Sequence, residues 1–144
     1  MKPEEARALA EAVRASVHRA VVGRDVVVEQ VLTGLLADGH LLFEDFPGLG
    51  KTLMAKSFAQ ALGLEFQRVQ FTADLLPHDI TGGEMLDATH ESFTFRRGPL
   101  FTNLLLADEI NRAPPKVQSA LLEAMQEYQV TSERSTYPLP RPFL

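Results

Sequence analysis

The chain has 144 residues, enough for one domain with its own core, and its 45% hydrophobic and 23% charged content excludes a disordered or fibrous protein. Its 14 Lys and Arg against 19 Asp and Glu give a net charge of -5, which argues against a wide nucleic-acid footprint. The absence of cysteine excludes disulfides and thiolate metal sites, no apolar run approaches the ~20 residues that span a bilayer, and the N-terminus lacks a secretory core, so a cytoplasmic protein without membrane insertion is expected.

In chain order, Leu9, Val13, Val17 and Ala20/Val21 recur at a spacing of three and four, which predicts an amphipathic helix over 3–20. Gly23 breaks it. Val27, Val28, Val31, Leu32, Leu35 and Leu36 then form the apolar face of a second helix over 25–38, with Gly39 as its stop. His40-Leu41-Leu42-Phe43 has the length of a buried strand and leads into the Gly- and Pro-rich turn Asp45-Phe46-Pro47-Gly48-Leu49-Gly50. Residues 51–62 are helical in composition and stop at Gly63, and residues 65–71 alternate as a second strand does. Strand, turn, helix and strand make a βαβ unit, which implies a parallel sheet.

Residues 72–101 are less regular, but Gly82-Gly83, Gly98-Pro99 and the alternation of Phe93-Thr94-Phe95 suggest a hairpin. Leu104-Leu105-Leu106-Ala107 predicts a third buried strand, closed by Asp108-Glu109. Pro114-Pro115 opens a helix that runs to about residue 126, with Val117, Leu121, Leu122 and Met125 on its buried face. Gln129-Val130-Thr131 and Thr136-Tyr137-Pro138-Leu139 then read as a second hairpin.

Two motifs carry chemistry. Pro47-Gly48-Leu49-Gly50-Lys51-Thr52 sits between a predicted strand and a predicted helix, the setting in which a phosphate-binding loop has meaning. Backbone N–H groups of such a loop converge on phosphate oxygens, and the positive end of the following helix adds to them. Lys51 can place its ammonium on the β- and γ-phosphates, and the Thr52 hydroxyl suits Mg²⁺, a cation that prefers oxygen. Asp45 stands where the pattern begins with glycine, and is tolerable if it turns to solvent. A Gly-Pro turn capping an ordinary helix is the plainer alternative. The second motif is the hydrophobic strand ending in Asp108-Glu109, the form of a Walker B strand. Asp108 would hold Mg²⁺ through its water shell and Glu109 would serve as general base. An acidic strand end facing solvent is the alternative, weakened by the loop upstream.

The blocks HLLFEDFPGLGKTLMAKSFAQALG, RVQFTADLLPHDITG, FRRGPLFTNLLLADEINRAPPKVQSALLEAMQE and QVTSERSTYPLPRPF resemble consecutive signature blocks of the MoxR family of AAA+ ATPases, over roughly residues 21–144. Asp45 fits that resemblance, because MoxR-like loops often begin with Asp. Arg97 departs from it, since the family usually has proline ahead of Gly98-Pro99. The resemblance implies an α/β P-loop NTPase fold, a three-layer αβα arrangement around a parallel sheet of order 5-1-4-3-2 with two β-hairpin insertions, preceded by an N-terminal helix at 1–20.

It also implies that ATP is bound by Val22, Gly23, Pro47, Gly48, Leu49, Gly50, Lys51, Thr52 and Leu53, that Thr52 and Asp108 hold Mg²⁺, and that Glu109 and Lys51 are catalytic. Val22-Gly23 matches the segment that packs on adenine, although a bare glycine break is the bottom-up reading there. Gln70 either senses the γ-phosphate and orients Glu109 or is satisfied locally. Asn111 and Arg112 either line a subunit interface or, for Asn111, cap the following helix. The hairpins at about 80–97 and 128–140 correspond to the helix-2 insert and the pre-sensor 1 hairpin, whose plainer role is to cover sheet edges. Asp74, His78 and Asp79 do not have a recognised metal-ligand spacing and read as a solvated loop. Arg96-Arg97 is too small a basic cluster for nucleic acid.

In MoxR-like proteins PLPRPFL leads into the sensor 1 strand, followed by an arginine finger, a fifth strand and a lid with a sensor 2 arginine. Residues 21–144 are therefore expected to be the first part of an ATPase core. The sensor 1 strand lies between the first and third strands in that order, so those two are expected to lack a shared neighbour, and the sheet to re-pair or to lean on partner chains. The implied function is ATP-driven, chaperone-like remodelling, complex assembly or cofactor insertion by a ring, typically hexameric, working with a von Willebrand factor A-domain protein. Hydrolysis by the 144 residues alone is expected to be weak. Two other readings remain at this point: a nucleotide-binding chain without turnover that acts through protein contacts, and a nucleic-acid-remodelling AAA+ relative.

Overall fold

A computed structural model describes residues 2–44, 50–86, 92–132 and 135–144. They fall into two compact units, the first ending at Phe66 and the second running from Gln67 to Phe143.

The first unit is helical. Helices α1 (Pro3–His18), α2 (Asp25–Leu36) and α3 (Lys51–Leu62) occupy the three predicted helical stretches. Helix α1 opens with Pro3 at its first position, and the Lys2 N–H donates to Glu5 Oε2 at 2.9 Å, satisfying a donor the helix cannot reach. Val13 and Val17 are buried, as the periodicity requires, whereas Leu9 is half exposed. Val28, Val31 and Leu32 of α2 and Met54, Phe58 and Ala59 of α3 complete the buried set, and Arg14 pairs with Glu29 to tie α1 to α2. Helix α2 ends earlier than Gly39. Asp38, at φ 51, takes the left-handed position expected of that glycine, and the Gly39 N–H donates to the Gly34 carbonyl. Gly63, at φ 66, does close α3 as predicted.

The predicted first strand is corrected. His40-Leu41-Leu42-Phe43 pairs with no strand among the described residues, and Leu42 and Phe43 are exposed. A strand exists through its ladder partners, and this stretch has none here, so its apolar side chains are not drawn into a sheet.

The second unit holds the sheets. Strands β1 (Phe66–Gln70) and β4 (Leu104–Asp108) pair, and the Phe71 N–H donates to the Asp108 carbonyl at 2.9 Å. Both strands therefore end at the same edge, so they run parallel. Leu104 is buried but the rest of β4 is only half-buried, short of the fully buried strand predicted. Strands β2 (Gly82–Leu86) and β3 (Phe93–Arg97) form the first antiparallel hairpin, and β5 (Gln129–Thr131) and β6 (Thr136–Pro138) the second. Helix α4 (Pro77–Thr81) precedes the first hairpin, and a 3₁₀ turn at Ile110–Arg112 and α5 (Pro115–Glu127) precede the second. Leu122 is half exposed, contrary to its predicted place on the buried face of α5, while Ala124 is fully buried there. Phe71, Ile80, Leu100, Val117, Leu121 and Val130 centre one core that draws α4, α5 and both hairpins together. Phe95 of β3 stacks on Tyr137 of β6 with centroids 4.0 Å apart and meets Phe101 edge-on at 5.8 Å, so an aromatic ladder joins the hairpins.

Two glycines at the base of the first hairpin are fixed by close approach. A Cβ on Gly82 would lie 2.1 Å from the Arg96 carbonyl oxygen, and one on Gly98 would lie 2.4 Å from the Gly82 nitrogen. Both contacts are with backbone, which cannot swing aside.

Candidate nucleotide site

The loop motif arrives at the N-terminus of α3. Gly50, at φ 79 and ψ 19, is its N-cap, and Lys51 and Thr52 are its first two helical residues. A left-handed glycine turning directly into a helix aims the unpaired N–H groups of the first turn outward, the geometry that receives an anion. Lys51 and Thr52 are half-buried and Leu53 is exposed, while Met54, Ser57 and Phe58 anchor the opposite face. Pro47, Gly48 and Leu49 of the expected loop, together with Asp45, lie outside the described residues.

Val22 and Gly23 lie in the same unit. Gly23 is left-handed at φ 73 and Val22 is 85% exposed. With residues 24–27 they line an open concavity of about 510 Å³ at the start of α2. Val22 and Val26 stand exposed beside Arg24 and Asp25, so its lining is mixed polar and apolar.

In the second unit, Asp108 is the last residue of β4 and Glu109 follows in a left-handed conformation, φ 56 and ψ 41. That conformation costs a non-glycine residue about 1–2 kcal/mol, and such strain gathers at functional sites. Both acids meet an arginine. Arg68 Nη2 donates to Asp108 Oδ2 at 2.7 Å, and Arg112 Nη1 donates to Glu109 Oε2 at 2.7 Å. The Arg112 N–H also donates to the Glu109 carbonyl at 2.9 Å, so the 3₁₀ turn holds Glu109 at two points. These are charge-assisted bonds, but the side chains are 31–59% exposed, which limits each pair to roughly 0.2–1 kcal/mol.

Gln70 is exposed and accepts a long 3.5 Å bond from Arg68 at its Oε1. Asn111 lies within the 3₁₀ turn and is not the N-cap of α5; Pro114 holds that position. Asp79 accepts from the Leu76 N–H at 2.8 Å and caps α4, while His78 is exposed. The Asp74 carboxyl is held below the usual aspartate value, chiefly by the Thr72 hydroxyl and then by a bond from its own backbone. Arg97 lies over the Phe101 ring at 5.1 Å. Arg68 is the residue sequence reading passed over. It sits 40 positions from Asp108, and only the parallel pairing of β1 with β4 brings the two together.

Thr52 and Asp108, one in each unit, each bear an oxygen of the kind a hard divalent cation takes. Thr52 offers a hydroxyl oxygen, and Asp108 offers a carboxylate that already draws a cation, the Arg68 guanidinium. Among the described residues, no group of three or more His, Cys, Asp or Glu is gathered to hold a metal without such help.

Comparison with known proteins gives this arrangement its family. The description "ATPase family associated with various cellular activities (AAA)" matches residues 40–144. The chain belongs to the AAA ATPase family. Within the family it groups with MoxR proteins, as its signature blocks imply. This AAA ATPase is 52% identical over 128 residues to "Chaperone MoxR1" of Mycobacterium tuberculosis, covering 89% of the chain and 34% of that relative. It is 49% identical over 127 residues to the uncharacterized protein YeaC of Bacillus subtilis, covering 88% of the chain and 40% of YeaC. The crystal structure of a candidate ATPase from Cytophaga hutchinsonii superposes with a TM-score of 0.87 at 45% identity, covering 98% of this chain and 43% of that one. The chain thus spans 34–40% of the length of these two curated relatives. The expected P-loop α/β fold with parallel strands and helices holds.

Proposed function

We propose that this chain binds Mg-ATP and hydrolyses it to drive chaperone-like remodelling of partner proteins, with residues 21–144 as part of an ATPase core and 1–20 as a leading helix. The observation that carries the reading is the left-handed Gly50 delivering Lys51 and Thr52 as the first residues of α3. Lys51 neutralises phosphate charge there, and the N–H groups of the first turn, with Gly50, cradle the oxygens. Val22 and Gly23, at the open concavity before α2, receive the adenine, and Pro47, Gly48, Leu49 and Leu53 complete the nucleotide contacts. Thr52 and Asp108 would hold Mg²⁺, which would supply charge neutralisation at the phosphates. Glu109 takes the proton of the attacking water as general base. Its strained backbone favours that role, because strain of this kind persists where a side chain must be aimed.

Two further elements rest on the resemblance: a ring, typically a hexamer, and a von Willebrand factor A-domain protein as partner, in complex assembly or cofactor insertion in the cytoplasm. Among the described residues no helix is long and apolar enough to cross a membrane. A second reading, nucleotide binding without turnover, is favoured by the Glu109–Arg112 pair, which engages the carboxylate the reaction needs. The two separate in one experiment. Turnover lost in Glu109→Gln, with ATP binding retained, supports the hydrolysing reading. Binding without turnover in the parent at any protein concentration supports the other.

A further inference from the structure

Strand β1 holds Asp108 twice. Its main chain does so through the bond from Phe71 N–H to the Asp108 carbonyl, and its side chain Arg68 does so through the 2.7 Å bond to Oδ2. The first contact belongs to the sheet and needs no arginine. The second is between side chains that are 44% and 31% exposed, outside the core, so the sheet does not depend on it. It lies at the C-terminal ends of two parallel strands, the edge at which open α/β sheets place their ligands. Gln70, two residues along the same face of β1, offers Arg68 another acceptor at 3.5 Å.

We propose that Arg68 is an internal counter-ion for Asp108, occupying the carboxylate before a divalent cation arrives with the nucleotide and moving aside to Gln70 when it does. The proposal rests on the nucleotide reading above and assigns its regulation to a residue of the neighbouring strand. A guanidinium and a divalent cation repel one another, and both draw on the same carboxylate. Whatever Arg68 contributes to holding Asp108 is therefore subtracted from the cation's apparent affinity. For a half-exposed pair that amounts to about a 1.4- to fivefold effect. Arg68 acts through Asp108 and is a positioning residue.

The test is a Mn²⁺ titration of the intact chain holding a non-hydrolysable ATP analogue, with free Mn²⁺ followed by electron paramagnetic resonance. Arg68→Met is expected to lower the Mn²⁺ midpoint about 1.4- to fivefold. Arg68→Gln, a second way to remove the charge, is expected to move it in the same direction, and Arg68→Lys to restore the parent midpoint. In an Asp108→Asn background, Arg68→Met is expected to change nothing. A midpoint unmoved or raised in both charge-removing variants overturns the proposal. So does weaker analogue binding in EDTA, which would place Arg68 on the phosphates instead. If the parent binds no analogue, the nucleotide reading falls and this inference with it. Normal binding with an unmoved midpoint overturns the inference alone.

Discussion

Gly98→Ala offers a test of how the first hairpin is anchored. The added Cβ would sit 2.4 Å from the Gly82 nitrogen, 2.5 Å from the Ile80 carbonyl oxygen and 2.7 Å from the Thr81 carbonyl carbon, all backbone atoms. Relief requires the hairpin base to open, which threatens the bonds from Gly98 N–H to the Thr81 carbonyl (3.2 Å) and from Leu100 N–H to the Ile80 carbonyl (3.0 Å). Overpacking at about 1–3 kcal/mol and two bonds at about 1 kcal/mol each put the expected loss near 3–5 kcal/mol. Ile80 and Leu100 are fully buried, so the damage reaches the core of the second unit. The chain has two tyrosines, Tyr128 and Tyr137, and no tryptophan, so tyrosine emission during urea unfolding reports on that unit. Gly83→Ala is the control, because its Cβ would meet only His78 Cβ at 3.9 Å and should change stability by less than about 0.5 kcal/mol. A Gly98→Ala loss below about 1 kcal/mol, or one equal to that of Gly83→Ala, would refute the close-approach argument.

Three other outcomes are expected. A double-mutant cycle of Phe95→Leu and Tyr137→Leu, read by urea-induced loss of circular dichroism, should return a coupling of about 0.5–1.5 kcal/mol; additivity means the hairpins are not joined through that stack. Gly50→Ala meets no atom of the described residues within 4 Å, so its cost there is conformational, about 1–2 kcal/mol, and should weaken ATP binding roughly five- to thirtyfold without unfolding the chain. Thr72→Val should raise the Asp74 titration toward the ordinary aspartate value in carboxyl NMR. A depressed folded-state value favours the fold above that ordinary value and loses its effect as pH falls through the depressed one, so the Thr72 contribution should vanish in strong acid.

Local signals were the legible ones. The helix over 51–62 was bounded by glycines whose backbone angles the structure confirms, and both hairpins appear where Gly, Ser and alternating residues mark them. Features set by distant pairing were not legible. The stretch His40-Leu41-Leu42-Phe43 has a strand's composition but no ladder partner among the described residues, and no local pattern reports that. Helix α4 and the 3₁₀ turn at Ile110–Arg112 are too short to show periodicity, and the latter is made by a left-handed Glu109 that propensity would not choose. Within the candidate site, the acids were readable from their place after a hydrophobic run. Arg68 was not, because its partner is set by which strands lie side by side. Arg112 finds its carboxylate, Glu109, three residues away in its own turn, a pairing that the left-handed Glu109 makes and spacing alone does not report.

The central claim is that α3 opens on a phosphate. Calorimetric titration of the chain with Mg-ATP, compared with Lys51→Ala, tests it most directly. The account predicts one nucleotide per chain in the parent and a loss of affinity of at least about tenfold in the variant, since a charge-assisted bond to phosphate is worth about 1.5–3 kcal/mol. Equal affinity in the two proteins, or none in the parent, would contradict it.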